Sequence, residues 1–184
     1  MKTILVPLKL PSDSRPALAI AADLARERKA KLVLLHVVQL GIAGEERGIQ
    51  RARLLDELAC AAETRLRQLA GGMDGPAVEV LVCPGRPADT IVEMASRLEA
   101  DAVVLRRHSH SRWFNWLHPN TALKVARHAP CRVWLVSPGQ HAGKYNLTVV
   151  APRLAGTDAG VRSSASHEAE HSRGVKAEVH AGAA

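Results

Sequence analysis

Five short apolar runs alternate with segments of helical spacing, and this alternation constrains the fold more than any other feature of the chain. The runs are rich in Val, Ile and Leu without polar alternation, which is typical of strands buried on both faces. Strands that alternate with helices form βα units with right-handed crossovers, and therefore a parallel sheet covered on both faces. The sequence thus predicts a doubly wound α/β fold with a five-stranded parallel sheet. The predicted strands are Thr3–Leu8, Lys31–Val38, Ala77–Cys83, Ala102–Leu105 and Arg132–Ser137.

Helical segments fill the intervals between the strands. The first is predicted to begin at the capping residues 12–14 (Ser-Asp-Ser), because short polar side chains satisfy the first amides of a helix. The second runs over Ile49–Leu69 and ends at a glycine pair. The third carries apolar residues with helical period from Ile91 to Leu98, and the fourth covers Thr121–His128.

The composition changes after Pro138. Residues 1–138 are predicted to form one domain, and 139–152 are either an extra strand, centred on Tyr145–Ala151, or a linker. From residue 153 the chain is rich in Ala, Gly, Ser and His and has no apolar period. Such a segment cannot bury enough apolar surface to offset the entropy of ordering, so 153–184 are predicted to be a disordered tail.

Charge and cysteines limit the range of functions. The net charge of +7, from 25 Lys and Arg against 18 Asp and Glu, permits an anionic partner without requiring one. Cys60, Cys83 and Cys131 have no metal-ligand spacing and are predicted to be buried, reduced thiols. No signal peptide or long apolar span follows Met1, so a cytoplasmic protein without a membrane span is expected.

The loop after the fourth strand is the first candidate for a functional site. In α/β proteins such a loop, running to a helix N-terminus, commonly cradles phosphate with glycine-rich backbone. Here it contains no glycine between the end of the strand and the next helix. It contains instead Arg106, Arg107, His108, His110, Arg112, Trp113, Phe114, Trp116 and His118.

Four segments resemble the universal stress protein family over residues 1–138. They are ILVP with a capped helix after it, LLHVV, PGRPADTIVEMA, and ADAVVLRRHS followed by ALKVARHAPCRVWLV. The most specific pieces are AD before an apolar strand and HAPC before the last strand. The resemblance implies a flavodoxin-like sheet and a cytoplasmic homodimer. One branch of this family binds ATP, and another branch does not.

The ATP-binding branch carries Gly, two residues, Gly, nine residues, then Gly with Ser or Thr. Arg106, Ser109, Pro119 and Asn120 stand at those four positions here, and Lys9 stands where that branch has an acidic residue after the first strand. The spacing is preserved without a single glycine. We therefore expect no cofactor, and no ATP bound in the manner of that branch.

From the sequence alone, two alternatives remain open to a stress-response factor that binds no small molecule. In the first alternative, a regulatory module binds a nucleotide or another anionic small molecule in an altered basic pocket. If the arginines instead form a solvated rim or fill the pocket themselves, no anion is bound. The aromatic residues near Arg112 would stack on bases in a weak nucleic-acid binder, although packing of the loop is favoured, so nucleic acid is not the expected partner. The candidate ligand-binding residues are Lys9, Val37, Arg106, Arg107, Ser109, Arg112, Asn120 and Thr121.

No catalytic or metal constellation accompanies these residues. The loop histidines lack a carboxylate or cysteine beside them, so no metal is expected. His36, in the second predicted strand, is interpreted as a core histidine whose ring nitrogens are hydrogen-bonded within the protein. The prediction is a non-catalytic homodimer that serves as a stress-response or regulatory factor and acts through an unidentified protein partner. The fifth strand is expected at an open sheet edge, where it would pair antiparallel with a second copy through Val133, Trp134, Leu135 and Val136.

Overall fold

The computed structural model describes residues 2–10, 15–39, 49–106, 121–138 and 145–152. Within these ranges the chain forms alternating strands and helices, followed by one more strand. They are β1 Thr3–Pro7, α1 Arg15–Arg28, β2 Lys31–Val38, α2 Ile49–Gly71, β3 Val78–Pro84, α3 Pro87–Arg97, β4 Ala102–Arg106, α4 Thr121–His128, β5 Arg132–Pro138 and β6 Tyr145–Val150. The capping residues 12–14 and the predicted tail, 153–184, lie outside the described ranges.

All six strands belong to one sheet with the order β3-β2-β1-β4-β5-β6. The first five are parallel, and β6 is antiparallel to β5. β1 is central, since its Ile4 pairs with Leu32 of β2 on one side and with Ala102 of β4 on the other. The predicted doubly wound fold with a parallel sheet is confirmed, with one antiparallel strand added.

β1, β2 and β4 are buried on both faces of the sheet, as their continuous apolar sequences predict, whereas β3 is half-buried and β6 is exposed. On one face, α1 and the C-terminal part of α2 cover a cluster that includes Ile4, Leu34 and Val104. On the other face, α3 and α4 cover a second cluster that includes Leu5 and Val103. Successive residues of a strand point to opposite faces of the sheet, so adjacent residues of β1 and of β4 pack into different clusters.

The prediction that β5 lies at the open edge of the sheet is wrong. β6 pairs with its outer side in unbroken register, from Val133↔Val150 to Pro138↔Tyr145. The reason is that the chain folds back after β5, and its next segment forms the backbone hydrogen bonds that an edge strand would leave unmade. The four residues assigned to a dimer edge are therefore interior to the sheet, namely Val133, Trp134, Leu135 and Val136.

The 23-residue helix α2 is attached to the domain mainly by its C-terminal half. Among the residues whose burial is described, only Ala62 and Leu66 of this helix are buried. Leu54 and Leu58, in the N-terminal half, are 38% and 41% exposed. No helix in the described ranges is long and apolar enough to cross a bilayer.

The beginnings of β1 and β4 are joined by a pair of hydrogen bonds. The Thr3 amide donates to the Asp101 carboxylate at 2.7 Å, and the Asp101 amide donates to the Thr3 carbonyl at 2.9 Å. Thr3 is only 7% exposed, so its polar groups need partners within the protein. This pair therefore fixes the beginning of β1 to the beginning of β4.

Candidate functional site

The carboxyl ends of β1, β2 and β4 meet at one edge of the sheet, because these strands are parallel neighbours. Lys9 follows β1 by two residues and is exposed, Val37 is the penultimate residue of β2, and Arg106 ends β4. Thr121 opens α4 and is half-buried. The other four candidates, with the loop aromatics and histidines, lie outside the described residues. They are Arg107, Ser109, Arg112 and Asn120.

Arg106 has a strand conformation rather than that of a cradle loop. It is the last residue of β4 and pairs with Val136 of β5. Its side chain is half-buried. The first position of the ATP motif is therefore occupied by an extended residue with a long cationic side chain.

His36 lies at the same edge and contacts the segment that carries Lys9. Its Nδ1 is 2.9 Å from the carbonyl oxygen of Leu8. A carbonyl only accepts, so Nδ1 carries the proton and, in the neutral ring, Nε2 is the acceptor. The Leu8 amide in turn donates to the Leu35 carbonyl at 2.8 Å. His36 thus orients the chain directly after β1, a role that appears only once β1 and β2 are in register.

Glycine is retained at this edge in the turn between β3 and α3. Gly85 has φ +148°, and a Cβ there would lie 2.5 Å from Thr90 Oγ1. Its amide donates to the Val38 carbonyl at 3.1 Å, which ties the turn to the end of β2. The conformation requires glycine here, whereas the loop after β4 has none.

The prediction that all three cysteines are buried is wrong for Cys60, which is exposed on α2, and Cys83 is only half-buried. Burial nevertheless makes Cys83 and Cys131 poor nucleophiles. It raises the pKa of Cys131 to about 11, with the Asp101 carboxylate adding to the effect. Burial likewise raises the pKa of Cys83. Thiolate, rather than thiol, attacks electrophiles and binds metals, so a raised pKa leaves little of either residue in the reactive form near neutral pH. In the described ranges, no group of three His, Cys, Asp or Glu side chains is placed to hold a metal ion.

The buried Cys131 thiol is expected to lower stability at alkaline pH. Its stabilising contribution is complete below its ordinary pKa of 9.0 and is lost as the pH rises to about 11, because the unfolded chain releases the proton first. The loss is at most about 2–3 kcal/mol, from about 1.4 kcal/mol per pKa unit. Urea unfolding at successive pH values measures it, with Cys131→Ala as the control. If both proteins lost stability equally between pH 9 and 11, the thiol would not be the cause.

Comparison with known proteins agrees with this geometry. The sequence model described as the universal stress protein family matches residues 1–137. Universal stress protein Sll1654 of Synechocystis is 26% identical over 138 residues, which cover 73% of this chain and 85% of that protein.

Solved structures show the same fold. UspA from Lactobacillus plantarum has a TM-score of 0.60 and 26% identity, over 73% of this chain and 96% of that one. A universal stress protein in complex with cAMP has a TM-score of 0.57 and 22% identity, again over 73% and 96% of the two chains. Because the family model spans all five parallel strands and both helical layers, the chain belongs to the universal stress protein family.

Proposed function

We propose that this stress-response protein is a non-catalytic, cytoplasmic homodimer that acts through a protein partner and does not hold ATP as the ATP-binding branch does. The observation that carries the proposal is Arg106, a strand residue with a long side chain where the ATP motif begins with glycine. The three free cysteines fit a reducing compartment. The high pKa of Cys131 supports the absence of thiol catalysis at that residue.

Two effects oppose each other at the edge of the sheet. Lys9 follows β1 and Arg106 ends the neighbouring strand β4, and both would attract a triphosphate by charge. An exposed ion pair contributes only about 0–1 kcal/mol. A cradle of aligned amides forms several charge-assisted hydrogen bonds, each contributing about 1.5–3 kcal/mol. Loss of the cradle therefore outweighs the gain in charge, and this difference supports the proposal.

We expect millimolar Mg-ATP to shift the melting temperature by less than about 1 °C. A ligand at 100 times its dissociation constant would stabilise the fold by about 2.7 kcal/mol. For a chain of this size that is several degrees, at roughly 2–4 °C per kcal/mol. A thermal shift assay on the full chain measures the difference.

Two substitutions identify the cause of any shift. Arg106→Glu reverses the charge at the candidate site, and Arg132→Glu reverses an exposed charge at the start of β5, the opposite edge of the sheet. A shift of several degrees that survives moderate salt, persists in Arg132→Glu and disappears in Arg106→Glu would refute the proposal. It would show that arginine replaces the glycine cradle.

A second candidate function is a regulatory module that binds another anion in the same basic edge. The placement of Lys9 and Arg106 favours it, and a similar universal stress protein has been solved with cAMP. Titration with cAMP and with inorganic phosphate tests it. Binding of duplex DNA is the weaker alternative. Its binding constant would fall steeply with salt, and the logarithm of the constant would decrease by about 0.9 per neutralised phosphate for each tenfold rise in salt concentration.

A further inference from the structure

The net charge of the chain comes from one continuous part of its sequence. Residues 1–101 carry 14 Lys and Arg against 14 Asp and Glu, so their charges cancel. Residues 102–157 contain 8 Lys and Arg and no Asp or Glu. After residue 157 there are 3 Lys and Arg against 4 Asp and Glu. The charge of +7 therefore belongs to the stretch that contains β4, α4, β5 and β6.

The topology keeps this charge on one side of the molecule. β4, β5 and β6 are adjacent in the sheet, and α4 packs on β5. In the neutral part of the chain, cations pair with carboxylates, as Arg26 does with Asp23 and Lys31 with Glu79. No ion pair joins a described lysine or arginine of residues 102–152. The charge of this half is therefore not neutralised within the part of the protein that the structure describes.

Most of the described cations of this half lie on or beside α4. Lys124, Arg127 and His128 are exposed and stand three and four residues apart, so they share one side of the helix. Arg132, at the start of β5, is exposed as well. Like charges at helical spacing repel each other, and α4 contains no carboxylate to offset the repulsion. We call Leu123, Lys124, Arg127 and His128 the α4 face.

Leu123 adds an apolar side chain to the α4 face. It is 45% exposed, next to Lys124 and one helical turn before Arg127. The buried residues of the helix, Val125 and Ala126, pack instead into the cluster beneath α3 and α4. Protein interfaces combine an apolar centre with a polar rim, and an exposed leucine beside cations fits that description. The phosphates of a nucleic acid would contact the cations but would gain nothing from the leucine.

The ring of His128 is held in place on the α4 face. Its Nδ1 donates to the carbonyl oxygen of Lys124 at 2.8 Å, one of the carbonyls that the end of the helix leaves without an amide partner. A side chain that is already ordered loses less entropy when another molecule binds beside it. The α4 face therefore presents a partly preformed surface.

We propose that the α4 face binds the protein partner of the proposed function, and that this partner presents an acidic amphipathic helix. Carboxylates complement Lys124 and Arg127, and an apolar side chain complements Leu123. A helix presents both kinds of side chain on one side, at spacings of three and four residues. A second copy of this chain does not fit, because its own α4 face would bring like charges together and its other half is neutral. This docking rests on the proposed function and names the chemistry of its partner.

A synthetic peptide tests the docking. The probe is a helical peptide of about 20 residues, with leucine on one face and glutamate on both flanks. The same peptide with glutamine in place of glutamate is its control. We expect the full chain to bind the glutamate peptide at least about tenfold more tightly at low ionic strength, from several ion pairs of about 0.2–1 kcal/mol each. The difference should shrink in about 0.1 M salt, where the screening length falls to about 10 Å. Calorimetry measures both.

Charge reversal locates the surface. Lys124→Glu with Arg127→Glu should weaken binding of the glutamate peptide at least about tenfold, because attraction becomes repulsion. Arg51→Glu with Arg53→Glu is the matched control, since both arginines are exposed on α2 and the change in net charge is the same. It should alter binding by less than about threefold. Equal weakening in the two variants would overturn the α4 face and leave only a dependence on net charge.

Leu123→Ser distinguishes a protein partner from a nucleic acid. It should weaken binding of the glutamate peptide about fivefold or more, through the loss of buried apolar area. Binding of a DNA duplex of about 20 base pairs should not change, because phosphates do not use the leucine. A duplex that bound the wild type more tightly than the peptide, and lost affinity on reversal of Lys124 and Arg127, would overturn the acidic helix in favour of nucleic acid.

The result is independent of the nucleotide measurement. Equal affinity for the glutamate and glutamine peptides would overturn the acidic helix as partner and leave the absence of ATP binding untouched. A thermal shift with Mg-ATP that disappears in Arg106→Glu would refute the proposed function at the carboxyl edge of the sheet, whatever the α4 face binds.

Discussion

Val133→Lys is expected to unfold the protein, or to lower its free energy of unfolding by about 3–5 kcal/mol, rather than to separate two folded subunits. Val133 is 1% exposed and packs in the cluster beneath α3 and α4. Lysine there would bury a charge without a designed partner, which costs several kcal/mol. An edge position for β5 would instead predict folded monomers, and the pairing of β5 with β6 removes that expectation.

Urea unfolding followed by circular dichroism measures the effect of Val133→Lys. Leu147→Lys is the matched control, since it places the same charge on the adjacent strand at a residue that is 43% exposed. We expect its free energy of unfolding to stay within about 0.5 kcal/mol of the wild type at monomeric concentrations. A Val133→Lys protein with the wild-type midpoint would contradict the observed position of β5.

Leu66→Ala is expected to lower the free energy of unfolding by about 3–4 kcal/mol. Leu66 is 0% exposed and joins α2 to the cluster beneath α1. Removing a buried leucine side chain loses its transfer free energy and leaves a cavity that the surroundings fill only in part. The expected loss is large because this residue and Ala62 are the only buried ones of α2 among those whose burial is described.

Leu58→Ala provides the comparison on the same helix. Leu58 is 41% exposed, so its truncation should cost less than about 1 kcal/mol. Chemical unfolding of the two variants side by side measures the contrast. Equal losses would mean that the N-terminal half of α2 is packed as tightly as the C-terminal half.

Local patterns were sufficient to predict most of the fold. Lys31–Val38 was predicted and observed with the same bounds, because a continuous apolar run closed by polar residues has few other conformations in an α/β chain. Thr121–His128 also matched, since its apolar spacing ends before Pro130. The termini of the other elements differ by a few residues, where helices and strands fray.

Pairing between distant segments could not be predicted in the same way. Tyr145–Ala151 was ambiguous between a strand and a linker, because its sequence does not specify what lies beside it. Because β6 pairs with β5, β5 does not form the free edge that was expected to bind a second copy of the chain. The contact between His36 and Leu8 was missed for the same reason, since it depends on the register of two strands rather than on either one. The one sequence feature that pointed to this contact was the position of His36, a polar residue close to the carboxyl end of a buried strand.

The central position of β1 has a consequence for how the protein is made. β1 is synthesised before both of its neighbours, so it can pair with β2 on one side while its other side stays unpaired until β4 has been made. The Thr3 amide meets its acceptor 98 residues later. At a synthesis rate of about 5–20 residues per second, the nascent chain carries a half-covered apolar strand for roughly 5–20 s. During that interval the unpaired side of β1 can bind chaperones or neighbouring nascent chains. The exposure ends when Asp101 and β4 have been synthesised and pair with β1.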